Sequence, residues 1–168
     1  MLEKLRARRQ SEEGFTLIEL MVVVLIIAIL IAIAIPTFLG ARGNAQDRAA
    51  QSSLRNSLTA AKSKFTDNDS FNGVNAAALS ASDPSFTFVD NAASTGPNSV
   101  SVATDNANTY YLVALAKTGT CWAVKDVESN GAGAGVTYGK ITGAGNACAA
   151  GAGNANPAGF AAGGWPTG

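Results

Sequence analysis

Three groups of residues in this sequence could do chemistry. The first is a lone carboxylate, Glu19, inside the run Gly14-Phe15-Thr16-Leu17-Ile18-Glu19-Leu20-Met21. No side chain from position 20 to position 35 is polar. A charge placed there is costly in hydrocarbon, so Glu19 asks for a partner. The second is a pair of cysteines, Cys121 and Cys148. The third is Asp126 and Glu128, which alternate on a strand-like stretch and so face the same side. Nothing else in the sequence converges on these two, and they read as a solvated face. Lys62 and Lys64 read the same way, as solvent-facing residues near the end of a helix.

Catalysis finds no support in the residue types. The chain has no histidine, so neither a Ser-His-Asp nor a Cys-His arrangement can form. The two cysteines lack the CxxC spacing of a tetrahedral metal site. Gly131-Ala132-Gly133-Ala134-Gly135 is no phosphate loop, because Gly139-Lys140 is followed by Ile141 and position 134 is Ala where that motif needs Gly. Asp67-Asn68-Asp69-Ser70-Phe71 opens like a calcium loop, but Phe71 takes a ligand position and Gly73 comes one residue late. The expectation is a protein that is not an enzyme and uses neither cofactor nor metal.

The elements that must position these residues follow from the charge and hydropathy pattern. The 168 residues suit one modest domain with an appendage. Twelve Lys and Arg balance 12 Asp and Glu, so no global charge argues for nucleic acid. Lys4, Arg6, Arg8 and Arg9 crowd the start, and the next basic residue is Arg42. Basic residues ahead of an apolar run predict a cytoplasmic N-terminus with the remainder translocated. Residues 15–39 are long enough to cross a bilayer as a helix. Pro36 removes a backbone donor and should kink or loosen that helix, and Gly40 and Gly43 soften it further.

From position 44 to position 65 there is no Pro or Gly, and Leu54, Leu58, Ala61 and Phe65 recur on one face. The spacing predicts one long helix, apolar all round in its first half and amphipathic in its second. The turn formers 66–70 end it. Residues 71–98 read as a loop with a short strand at 86–89. Stronger strand signals follow at 99–104, 109–116, 120–127 and 136–141, with Lys117-Thr118-Gly119 as a hairpin turn. A sheet of about four antiparallel strands would bury the Leu54/Leu58/Phe65 stripe. From Gly143 the tail is rich in Gly, Ala and Asn, with Phe160, Trp165 and Pro166 as its anchors. Both cysteines fall in the translocated part, where an oxidising compartment favours a disulfide. Two separate buried thiols are the alternative. A disulfide would pin the start of the tail to the third strong strand.

Taken together, the short basic leader, Gly14-Phe15-Thr16-Leu17-Ile18-Glu19-Leu20 and an apolar run ending at Pro36 resemble the class III signal of type IV pilins. The close resemblance covers about the first 55 residues; beyond them only the architecture is similar. It implies an α+β fold in which a long N-terminal helix packs its second half on an antiparallel sheet. The implied organisation is a leader at 1–14, a helix at 15–66 whose residues 15–39 form the membrane span and later the filament core, and a β domain at 67–168. It further implies that a membrane-embedded prepilin peptidase cuts between Gly14 and Phe15 and N-methylates Phe15. Glu19 would then pair with the α-amino group of Phe15 on a neighbouring subunit. Pro36, with Gly40 nearby, matches the region that loosens on entering the filament. Cys121 and Cys148 stand where the family's C-terminal pair bounds a surface loop.

The implied partners are further copies of the chain, the prepilin peptidase, an inner platform protein and, indirectly, an assembly ATPase. A single-pass precursor in the cytoplasmic membrane would become a pilus on the cell surface. Adhesion, twitching motility and DNA uptake are what such filaments do, and the sequence does not select among them. Three alternatives stand beside this one. One is a pseudopilin of a type II secretion system, or a minor or competence pilin. Another is a membrane-tethered binding module that never polymerises. The last is an ordinary secretory signal cut after Ala32-Ile33-Ala34.

Overall fold

Helix α1, Leu17–Asn68, takes 52 residues and contributes to both units into which the chain divides, Met1–Ala41 and Arg42–Gly168. The computed structural model describes residues 14–129, 133–141, 148–151 and 160–166. The leader up to position 13, the start of the glycine cluster and most of the C-terminal tail lie outside the described residues.

In the first unit α1 is bare. Its large apolar side chains are exposed all round, from 48% at Ile27 to 74% at Leu17. Residues 17–39 span about 35 Å at 1.5 Å per residue, against a hydrocarbon core of about 30 Å. The helix continues through Pro36 and Gly40. Pro36 cannot donate to the carbonyl of Ala32. One residue on, the Thr37 hydroxyl lies 2.9 Å and 3.3 Å from the carbonyls of Ala34 and Ile33.

In the second unit the same helix becomes one-sided. Leu54, Leu58 and Ala61 are buried and Phe65 packs beside them, as the spacing predicts. Ala50, Ser53 and Ser57 widen the buried stripe. The helix ends two residues later than expected, at Asn68, with Asp69 in the left-handed region (φ 51°). A second helix, α2 (Ala76–Ser82), interrupts what reads in sequence as loop; Asn75 caps it, its side chain accepting from the Ala78 N–H at 2.9 Å.

The sheet has six strands rather than about four: β1 (Thr87–Asp90), β2 (Ser99–Asn106), β3 (Thr109–Leu115), β4 (Cys121–Val127), β5 (Gly135–Ile141) and β6 (Ala161–Ala162). They lie in sequence order. All neighbours are antiparallel except β1 and β2, which run parallel. Besides the four strong strands, β1 falls on the short strand expected at 86–89, and the unexpected one is a two-alanine strand at the other edge, a residue type with no strand preference of its own. The 117–119 turn closes β3 onto β4, with Gly119 at φ 87°, where a side chain would be strained.

Both faces of the sheet are covered. Tyr110, Leu112, Ala114, Trp122 and Val124 meet the helix stripe, while Tyr111, Val113, Ala123 and Cys121 meet Cys148, Ala150 and Phe160. Leu54 is completely buried in the first layer. Leu54→Ala is expected to cost about 2–5 kcal/mol of the sheet unit's stability, read by denaturation, because the cavity adds to the lost burial.

Candidate functional site

Glu19 is engaged by its own helix end. Its backbone N–H points to Thr16 Oγ1 at 3.3 Å, and its Oε2 accepts from the Thr16 N–H at 2.8 Å and the Thr16 hydroxyl at 2.7 Å. This reciprocal capping box satisfies donors that the first helical turn leaves orphaned. The carboxylate also sits at the positive end of the helix dipole. Thr16-x-x-Glu19 spells this box in the sequence, yet the reading of Glu19 as a group awaiting a partner passes it over. Phe15, just ahead, is 82% exposed. A Cβ at Gly14 would meet nothing within 4 Å, so the chain's own packing does not demand glycine there. Gly40 is equally open.

The carboxylates at 126 and 128 do not form a solvated face. Asp126 is fully buried, and Lys62 reaches it from α1, Nζ to Oδ2 at 3.2 Å, while bonding Glu128 Oε1 at 2.7 Å. Neither Asp126 oxygen finds a partner in hydrogen-bond geometry. Burial pushes the Asp126 carboxyl above its ordinary range, more than the Lys62 charge pulls it back. Burial acts to lower Lys62, but its bond to Glu128 and the charge of Asp126 outweigh this and hold the ammonium above its usual value. The cluster ties helix to sheet; among the described residues no group of three or more His, Cys, Asp or Glu could hold a metal.

Cys121, at the start of β4, and Cys148 are joined in a disulfide with Cα atoms 5.4 Å apart. The bridge sets Cys148–Ala150 on the sheet face away from α1, where the Cys148 carbonyl accepts from Ser94 N–H at 2.8 Å and Ala150 N–H donates to Ser101 Oγ at 2.8 Å. Tyr138 and Trp165 pack on the helix side instead, with the Arg55 guanidinium 5.9 Å from each ring. Closing a loop with a sequence separation of 27 contributes about 3–4 kcal/mol in the chain-entropy model. Cys121→Ser/Cys148→Ser should therefore lower the sheet unit's stability by that order in a denaturant titration.

The geometry thus comprises an exposed apolar helix with a capped carboxylate in its first turn and, in the other unit, a disulfide-pinned sheet. Comparison with known proteins bears on this arrangement. Residues 9–35 match the prokaryotic N-terminal methylation motif. The type IV major pilin protein PilA of Myxococcus xanthus is 48% identical over 58 residues, 34% of this chain but only 26% of that relative's length. The type IV wide pilus major component PilA4 of Thermus thermophilus is 34% identical over 114 residues, 67% of this chain and 80% of the relative. The chain belongs to the type IV pilins. This pilin is accordingly a structural pilus subunit, made as a membrane-anchored precursor that carries a prepilin motif on an apolar helix and ends in an extracellular filament. No solved structure matches it significantly.

Proposed function

We propose that the chain polymerises through residues 15–35 once its leader is removed, and that it does so without catalysing a reaction. The observation that carries this is the change in α1 from exposed on all sides to buried on one side within a single helix. An apolar surface of that size is a liability in water and a core when identical copies surround it. In the membrane it is solvated by lipid; in the filament other copies replace the lipid through close helix packing. A contact that joins unlike surfaces without closing on itself extends into a fibre.

In this reading a prepilin peptidase cuts between Gly14 and Phe15, the small Gly14 fitting a tight protease site, and methylates the new amine of Phe15. Removal of the leader takes away its cytoplasmic charges and frees an amine that Glu19 of a neighbouring copy can pair with. Pro36 and Gly40 supply the joint that loosens as the subunit enters the filament. A platform protein and an assembly ATPase drive that entry. Relatives named as major pilins do not favour the pseudopilin, minor-pilin or tethered-module alternatives.

N-terminal sequencing of the mature chain tests the processing step. Phe15, heavier by one methyl group, is expected as the first residue. Ile35 in first place would mean an ordinary secretory cut and would end this account.

A further inference from the structure

We propose that the sheet unit is electrically polarised along α1 and docks head to tail, the basic end of one copy against the acidic end of the next. This rests on the polymerisation reading above and adds to it the contact that the outer parts of the subunits make.

The sheet register sorts the charges. The β3–β4 turn lies beside the helix where α1 enters the unit: the Thr118 hydroxyl bonds Asp47, and its methyl lies 4.0 Å from where a Cβ on Gly43 would stand. Lys117 is in that turn, and Lys140 is paired with Trp122 one residue into β4. Arg42, Arg48, Lys117 and Lys140 therefore share this end. Asp47, the carboxylate among the described residues at this end, accepts from the Thr118 hydroxyl and keeps its charge, so the end stays basic by four cations to one anion. At the far end, the Phe71 N–H donates to Ala107 O at 2.7 Å and the Glu128 N–H to Asn108 O at 2.8 Å. These bonds gather the exit of α1, the β2–β3 turn and the end of β4. Asp67, Asp69, Asp105 and Glu128 meet there. Lys64 is the cation left among them, since Lys62 is spent on Asp126 and Glu128.

The other charges sit between the ends or to one side. Arg55 and Lys125 lie over aromatic rings, Asp90 accepts from the Ala76 N–H, and Asp83 follows α2 at the β1 edge. The unit is itself neutral, because four of the 12 basic residues belong to the leader, as do three of the 12 acidic ones, and one more acid is Glu19. Its charge is separated rather than in excess.

A fibre contact joins two different surfaces of the same chain, so those surfaces must complement each other. Opposed ends of opposite sign meet that need, and they penalise stacking in the reverse sense. Shape agrees with charge. The basic end carries a hollow of about 460 Å³ lined by Asp47, Arg48, Gln51, Lys140 and Trp165, whereas the acidic end is formed where α1 and β4 run out and β2 turns into β3. With a screening length of about 8 Å at physiological salt, the attraction acts only at contact.

The test uses the full-length chain in cells, with surface filaments sheared and quantified. Arg48→Glu/Lys117→Glu and, separately, Asp67→Lys/Asp105→Lys are each expected to lower filament yield about tenfold or more, since like charges then face each other. Combining all four changes restores the complement and should restore most of the yield. Either pair assembling at the unchanged chain's level overturns the proposal. So does a four-change chain that resists protease like the unchanged one but stays as poor as the pairs. Should a variant fail to fold, carbodiimide coupling of unchanged filaments grown from mixed isotopic stocks decides. Amides joining Lys117 of one copy to Asp67 or Asp105 of another uphold the docking, and such amides confined within single copies refute it. Absence of any filament from the unchanged chain would instead fail the polymerisation reading beneath it.

Discussion

Glu19→Ala is expected to be inserted and cleaved normally yet to yield almost no filament. Cleavage needs the Gly14–Phe15 junction, which the change leaves intact. Assembly is different, because the amine freed at Phe15 must enter an apolar core without a counter-charge. Removing one member of a buried ion pair costs about 3–5 kcal/mol, roughly 10²- to 10³-fold or more in the equilibrium for adding a subunit. Glu19→Gln separates two roles of this side chain. Gln can still close the capping box with Thr16, so the helix start survives, but the charge is gone. Immunoblots for cleaved chain beside counts of labelled filaments read both outcomes. Normal filaments from Glu19→Gln would show that the Thr16 cap, and not charge pairing, is what Glu19 supplies.

The second large effect concerns Lys62, whose replacement by Met leaves Asp126 buried without its cation. The cost of breaking a buried pair applies, reduced because Lys62 keeps 39% of its side-chain surface exposed; about 1–3 kcal/mol is expected. The pH dependence follows from the directions of the shifts. Asp126 titrates above its ordinary value, so its burial as an anion is a cost at neutral pH that is relieved as pH falls through its folded value. The stability lost in Lys62→Met should therefore shrink toward acid pH. In the parent, Lys62 contributes stability that is full below its ordinary value of 10.5 and is lost as pH rises through its higher folded value. Adding Asp126→Leu to Lys62→Met should recover most of the loss, since a matched apolar pair replaces a matched ionic one. Urea titrations of the full chain in micelles, across pH, would show these trends. A deficit that grows on acidification would contradict the assignment.

The helix and the strong strands are legible because their signals are local. An apolar run with a fixed-offset carboxylate, and a Leu54/Leu58/Ala61 repeat, need no distant partner to be read. The edges of the sheet depend on distance. Ala161–Ala162 forms a strand only because Thr137 and Tyr138 offer it an edge, and Trp165 nearby packs on Trp122 and Tyr138. The ion cluster is hidden for the same reason: Lys62 and Glu128 are 66 residues apart, and a period-two alternation shows that two acids share a face without showing what covers it. By contrast, α2 and the Thr16 cap were within reach, for Asn75 before an alanine run and Thr16 three residues before Glu19 are both N-cap signals.

A cryo-electron microscopy map of sheared filaments tests the central claim most directly. Residues 15–39 of every copy should lie in the filament interior, with each Glu19 carboxylate within hydrogen-bond reach of the Phe15 amine of a neighbour. A filament whose interior is built from the sheet units, with the apolar helices outside it or absent, would contradict the account.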